Sequence, residues 1–358
     1  MKIGIVGLPN AGKSTLFNAL TQAAAETADY PFTTIDPNVA VVPVRDERLD
    51  QVAEVIASSE VVFETIEFHD IAGLVRGASA GEGLGNRFLA AIRETDAICH
   101  VVRCHGLDTG VPHPDGRVDP LADIETIETE LTLSDYEQAA RRLDRVRKGA
   151  KSGDLDAIAE RDWLEQVVEA LAEGKPARSV PVPDAAAHGP VNLQALTSKP
   201  ILYVANVDEG DAEPPEAVAA HATAVGAGVV AVSARIEGEL TELDAAEAEE
   251  MRESYGVEGS GLTRLVRAAY DLLELITFFT AGEDKEAVAR PLRRGSTAWE
   301  SAATIHTEIQ DEFIKAEVIG WRDLVEQGGY VAARDKGLLR IEGRDYVVAD
   351  GDVITIKV

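Results

Sequence analysis

The chain has 358 residues, enough for two or three domains, with 34 Lys+Arg against 63 Asp+Glu and a formal net charge of −29. That balance excludes general polyanion binding by the whole surface, so any nucleic-acid contact needs a local basic patch. There is no apolar run of transmembrane length and no signal-peptide pattern, and two cysteines, Cys99 and Cys104, are too few for a disulfide framework; a reduced cytoplasmic protein without a membrane span is expected.

In chain order, KIGIVG at 2–7 reads as a short buried strand, and the stretch from Lys13 onward reads as a helix. Further strand-like runs follow at 38–44, 61–69, 97–104, 201–206 and 228–233, with helical patterns between several of them. This alternation predicts an α/β domain with a mainly parallel sheet. It is interrupted between about 123 and 173, where Leu133, Tyr136, Ala140, Leu143 and Val146, then Leu155, Ile158, Leu164, Val167 and Leu171, recur at helical spacing. Two helices joined through 149–153 should pack as an inserted antiparallel hairpin, followed by a Pro- and Ala-rich linker at 175–190. After a helix at about 262–275, the last eighty or so residues read as a small α+β domain closing in the hairpin YVVADGDVITIKV, with Asp350-Gly351 at its turn. The expected domains are therefore 1–122 with 199–275, an arm plus linker at 123–198, and a C-terminal domain at 276–358.

The chemistry starts at GLPNAGKS, residues 7–14, which fits G-x-x-x-x-G-K-[ST] between a strand and a helix. Loop amides and the helix N-terminus would bind phosphate oxygens, Lys13 would reach the β- and γ-phosphates, and Ser14 would ligate Mg²⁺. Asn10, Ala11, Gly12 and Thr15 complete this contact set. Asp70, in Asp70-Ile71-Ala72-Gly73 after a strand, is the candidate to order the Mg²⁺ shell, with Gly73 and Leu74 in the sensing loop behind it. Thr33 and Thr34, in YPFTTIDP, are candidates to close over metal and γ-phosphate. The run ILYVANVDE ends a strand in Asn206-x-x-Glu209. A guanine reader would have Asn-Lys-x-Asp there, its carboxylate accepting from the guanine N1 and N2 protons. Val207 in the Lys place and the longer Glu209 in the Asp place weaken that selection, whereas Asn206 suits the N7 and N6 edge of adenine.

At these residues the sequence resembles the Obg-like ATPases of the YchF family, in the translation-factor branch of the P-loop GTPases. The resemblance covers essentially the whole chain. It is carried by GLPNAGKST, YPFTTIDPN, DIAGLVRGASAGEGLGNRFL, IETELTLSD, ANVDE and a C-terminal segment beginning near FFTAGE. It implies a nucleotide domain interrupted by a helical arm, then a TGS domain of β-grasp fold. It also implies slow ATP hydrolysis with Mg²⁺, GTP being bound more weakly or comparably, and association with the ribosome, with the large subunit and its RNA as the expected contact, by a monomer that binds no DNA. Thr34 matches the family's metal-binding switch Thr. Leu74 stands where Ras-like GTPases place the Gln that orients water, and His113 matches a loop His thought to serve instead. Ser233-Ala234 corresponds to the second base-contacting loop, and Asn10 to the loop Asn that coordinates K⁺ in potassium-activated relatives. Ala80 departs from the family pattern, which has Lys there.

For partner binding, Arg141, Arg142, Arg145, Arg147, Lys148 and Lys151 cluster near the arm's tip. They suit a phosphate backbone, or equally a solvated helix face paired with Asp135, Glu137 and Asp144. Two alternatives stand beside the ATPase switch: a guanine-specific ribosome-assembly GTPase, and a nucleotide-responsive scaffold whose hydrolysis is incidental.

Overall fold

A computed structural model describes residues 1–26, 37–71, 84–106, 118–241, 243–255 and 259–358. Its strands are β1 (Lys2–Val6), β2 (Val39–Val44), β3 (Glu60–Val62), β4 (Glu64–Asp70), β5 (Ala97–Arg103), β6 (Ile201–Asn206), β7 (Gly228–Val232), β8 (Leu275–Thr280), β9 (Glu286–Arg293), β10 (Lys315–Gly320), β11 (Arg340–Glu342) and β12 (Asp352–Lys357). The helices that matter for the site and the arm are α1 (Lys13–Glu26), α2 (Glu47–Ile56), α3 (Leu84–Arg93), α4 (Pro120–Ala150), α5 (Leu155–Ala172), α6 (Gly189–Leu193), α7 (Glu216–Ala224) and α8 (Ala234–Leu240).

The first sheet runs β2-β4-β1-β5-β6-β7. β1 is parallel to both β4 and β5, and β6 is parallel to β5 and β7. Every residue of β5 and β6 is buried, the pattern of parallel strands covered on both faces. Parallel pairing sends the loops after β1, β4, β5, β6 and β7 to the same edge, where ligands of open α/β sheets bind.

The inserted hairpin is present, with α4 starting behind the Asp119 N-cap, whose side chain accepts from Ala122 N at 3.2 Å. Its root is not part of a separate arm. Ile124, Ile127 and Leu131 pack with Phe88, Leu89, Ile92 and Tyr203 in the core of the sheet domain. Only from about Ala139 onward does α4 pair with α5, through Leu143, Trp163, Leu164 and Val167. The stretch expected as a linker also packs here, since Ala177, Val180 and Ala186 are buried in that same cluster. Asp135 is wholly buried, accepting from Leu196 N at 2.9 Å and from Thr197 N and Oγ1 at 2.7 Å each, so it fastens the returning chain to α4.

By contacts, the chain forms two units: 1–42 with 67–269, and 43–66 with 270–358. The second differs from the boundaries read from sequence, because residues 43–66 join the C-terminal unit. The single strand expected at 61–69 is two strands, broken at Phe63. β3 pairs in parallel with β9 of the second sheet, while β4 pairs with β1. That second sheet runs β11-β10-β12-β8-β9-β3 and is mixed. β10 is antiparallel to β11 and β12, β8 is antiparallel to β9, and β12 lies parallel to β8. The closing hairpin read from sequence is corrected too. A turn exists, with Asp352 N donating to Ala349 O at 3.1 Å and Gly351 at φ 84°. The run before it does not pair with β12, because β10 and β8 already occupy both edges of that strand.

Helix α2 explains why residues 43–66 sit in this unit. Its Leu49, Val52, Ala53 and Ile56 are buried with Phe279, Ala287, Ala289, Leu324 and Val353. Arg48 then joins Asp46 and Asp350, each at 2.7 Å. Leu49 is completely buried, so Leu49→Ala should destabilise the protein by about 2–5 kcal/mol in denaturant unfolding. A loss below about 0.5 kcal/mol, the range of an ordinary surface substitution, would contradict this packing.

Candidate functional site

β1 delivers the chain to Gly7 through four consecutive buried residues, Ile3 to Val6. A Cβ on Gly7 would lie 2.7 Å from Val101 O of β5, so the loop can leave the sheet here only as glycine. Ala11 N then donates to Leu8 O at 3.2 Å, with Asn10 left-handed at φ 64° and Gly12 at φ 93°. The helix begins at once, Leu16 N bonding Gly12 O at 2.9 Å. No acidic residue occupies the first turn of α1, so the helix itself places no negative charge where an anion would meet its positive end. Lys13 opens this helix, and Ser14 follows it on the exposed side.

Asp70 ends β4 in register with Ile5 of β1, which carries its carboxylate to the loop. There it forms an ion pair with Lys13 Nζ, the two side chains being 21% and 11% exposed. Among the described residues no group of three or more His, Cys, Asp and Glu side chains is placed to hold a metal ion. A cation held by Ser14 and Asp70 would need further oxygen ligands, and Mg²⁺ usually takes several of its own from phosphate and water. Ser14 and Asp70 supply hard oxygen donors of the right kind. Thr34, Gly73, Leu74 and His113, like Thr33 and Ala80, lie outside the described residues.

On the far side of the loop, Asn206 is buried at the end of β6. Its Nδ2 donates to Ala11 O at 3.0 Å, and its Oδ1 accepts from Ala234 N at 3.1 Å. The amide therefore has a task that sequence alone did not reveal, tying the phosphate loop to the Ser233-Ala234 loop. A Cβ on Gly12 would stand 2.0 Å from Asn206 Nδ2, so this glycine is required twice, for its backbone angle and for this contact. Val207 is buried against Ala205 and Ala231, which accounts for an apolar residue in the Lys place.

These elements enclose a cavity of about 380 Å³, lined by Asn10, Gly12, Thr15, Asn206, Val207, Glu209, Ser233 and Ala234 of the sequence candidates. Three further residues line it that sequence reasoning missed: His105, Asp208 and Arg235. His105 stands two residues beyond β5. Its position after a strand at the loop edge was the signal that could have found it. Burial holds its imidazole below the ordinary pKa, with the Arg103 charge acting the same way and Asp208 opposing. Asp208 Oδ2 accepts from Gly106 N at 3.1 Å, and Glu209 pairs with Arg235 at 3.0 Å.

Residues 2–138 match a family model described as 50S ribosome-binding GTPase. Residues 275–358 match that of a YchF-GTPase C-terminal family, described as a protein of unknown function. At full length the chain is similar to the ribosome-binding ATPase YchF of Bacillus subtilis (strain 168), with 48% identity over 99% of this chain and 98% of that protein. The same-named protein of Haemophilus ducreyi is 49% identical over equal shares. Among solved structures it is similar to the Schizosaccharomyces pombe YchF GTPase, with a TM-score of 0.87 and 34% identity, covering 100% of this chain and 97% of that one.

The bracing role of Asn206 separates from a purely base-reading one without any ligand. Asn206→Ala leaves the Ala11 carbonyl and the Ala234 amide unpaired and should lower the stability of the free protein by about 1–3 kcal/mol. An unchanged melting curve would return Asn206 to base contact alone.

Proposed function

The chain belongs to the YchF family, and from that premise we propose that it binds and slowly hydrolyses ATP with Mg²⁺ as a switch for association with the ribosome, its contact being the large subunit and ribosomal RNA. The observation that carries the reading is the pairing of a complete phosphate loop with an Asn206-x-x-Glu209 base segment in which Val207 is buried. Ribosome association comes from relatives bearing that name and from the family described as 50S ribosome-binding.

In this reading, the loop amides and Lys13 meet the β- and γ-phosphate oxygens and stabilise the charge that spreads over them during transfer. Ser14 and Asp70, with Thr34, would hold the Mg²⁺. When bound, Mg²⁺ supplies charge neutralisation and orients the phosphates. Asp70 also fixes Lys13 through their ion pair, so the cation on the loop is positioned before substrate arrives. His113 is the residue assigned to orient water, in place of the Gln whose position Leu74 takes. Lacking that Gln, the chain should turn over slowly by itself. Asn10 is the residue that K⁺ would meet. The C-terminal unit is assigned to the TGS type.

The relatives' names differ over the nucleotide, being ATPase in one set and GTPase in another. The rival here is a guanine-specific GTPase, and calorimetric titration with ATP and GTP in Mg²⁺ and K⁺ buffer separates the two. Tighter ATP binding, or parity, is expected. A GTP preference of tenfold or more, about 1.4 kcal/mol, would put the GTPase reading first. Lys13→Ala should abolish hydrolysis, measured as released phosphate; retained hydrolysis would refute the phosphate-loop assignment.

A further inference from the structure

We propose that Arg235 sets base preference in this pocket, by engaging the Glu209 carboxylate so that it is withheld from guanine. The inference rests on the nucleotide-site reading and deepens it. The pocket holds two carboxylates. Asp208 Oδ2 already accepts from Gly106 N at 3.1 Å, and Glu209 Oε1 lies 3.0 Å from Arg235 Nη1. Arg235 is itself steadied from the other side, its Nε lying 3.1 Å from Glu239 one turn further along α8. Glu209, Arg235 and Glu239 thus form a chain of charges that begins in the pocket wall and ends on the helix surface.

The consequence follows from the hydrogen-bonding edges of the bases. Guanine presents N1 and N2 protons to this wall and needs an acceptor, best given by both oxygens of one carboxylate. Adenine presents an unprotonated N1 and needs a donor. A carboxylate occupied by a guanidinium is a poor acceptor, and the guanidinium brings N–H donors to the same edge. Guanine would then face donors with donors, which selects by leaving polar groups unpaired, a stronger discrimination than a change in apolar contact. The Arg235 side chain is 72% exposed, so the ion pair contributes little to the fold, and its effect is felt where a base covers it. Arg235 lies outside the Asn206-x-x-Glu209 segment and at the edge of the Ser233-Ala234 loop, where no motif singles it out.

The test is calorimetric titration of the full-length protein with ADP and with GDP, comparing the unsubstituted chain, Arg235→Ala, and Arg235→Ala combined with Glu209→Gln. Diphosphates keep hydrolysis out of the measurement. Arg235→Ala should shift the GDP-to-ADP ratio of Kd values about tenfold toward GDP, the discrimination one well-made polar base contact provides. The double variant should lose that gain, since the freed carboxylate is its source. Parallel changes for both nucleotides, or a gain that survives Glu209→Gln, would overturn the proposal while leaving the nucleotide site standing. If the unsubstituted chain takes up neither nucleotide, the site reading fails and the proposal with it. Because Arg235 is exposed, its loss should leave the melting temperature unchanged, and a melting curve checks that each variant is folded.

Discussion

Asn206 cannot move without moving the phosphate loop and the loop after β7 together, because its one side-chain amide bonds to the first at Ala11 O and to the second at Ala234 N. The contact is made possible by Gly12, whose missing Cβ leaves the space that the amide fills. Parallel pairing of β5, β6 and β7 brings these loops to one edge, but the loops of a parallel sheet are held in place only by what crosses between them. A buried amide with both ends engaged is well suited to this, since each lost bond would leave a polar group unpaired in a dry environment. The phosphate-binding geometry therefore depends on a residue that the motif for phosphate binding does not contain.

A second constraint concerns the path of the chain. The segments expected to sense the γ-phosphate, around Thr34 and after Asp70, are joined by residues 38–70. The middle of that stretch, 43–66, belongs to the C-terminal unit. It is secured there by the buried face of α2, by β3 on the edge of the second sheet, and by Arg48 between Asp46 and Asp350. The connection between these two expected segments thus includes a packed helix and strand. Folding of the C-terminal unit in turn requires residues that precede it by more than two hundred positions, so its sequence from 270 onward does not contain its whole core.

Charge on the arm reads differently once neighbours are known. Arg142 pairs with Glu160 at 2.8 Å and Arg147 with Glu165 at 3.0 Å, both across the hairpin, while Arg141 pairs with Glu137 at 3.4 Å on its own helix. Asp135, expected on the solvated face, is instead buried in the joint with Thr197. Two of the six basic residues, Arg142 and Arg147, therefore stitch α4 to α5, while Arg145, Lys148 and Lys151 are exposed near the tip. Exposed pairs of this kind add little stability, but they do lower the local positive potential that a phosphate backbone would meet.

Four features are legible in the amino-acid order alone: the strand-loop-helix around Gly7 to Ser14, the succession of strands and helices in the parallel-sheet unit, the inserted hairpin and the Asn206-x-x-Glu209 segment. In each of these the signal is local: a run of apolar residues, a helical period, or glycines at a fixed spacing that the backbone needs. The rest follows from long-range packing. It assigned β3 and α2 to the second sheet, denied β12 the expected hairpin partner, gave Asn206 its brace and brought His105, Asp208 and Arg235 into the pocket. These outcomes depend on which distant segments pair. A strand's sequence records that it will be buried and not beside which neighbour, and a polar side chain records its donors and acceptors and not who will meet them.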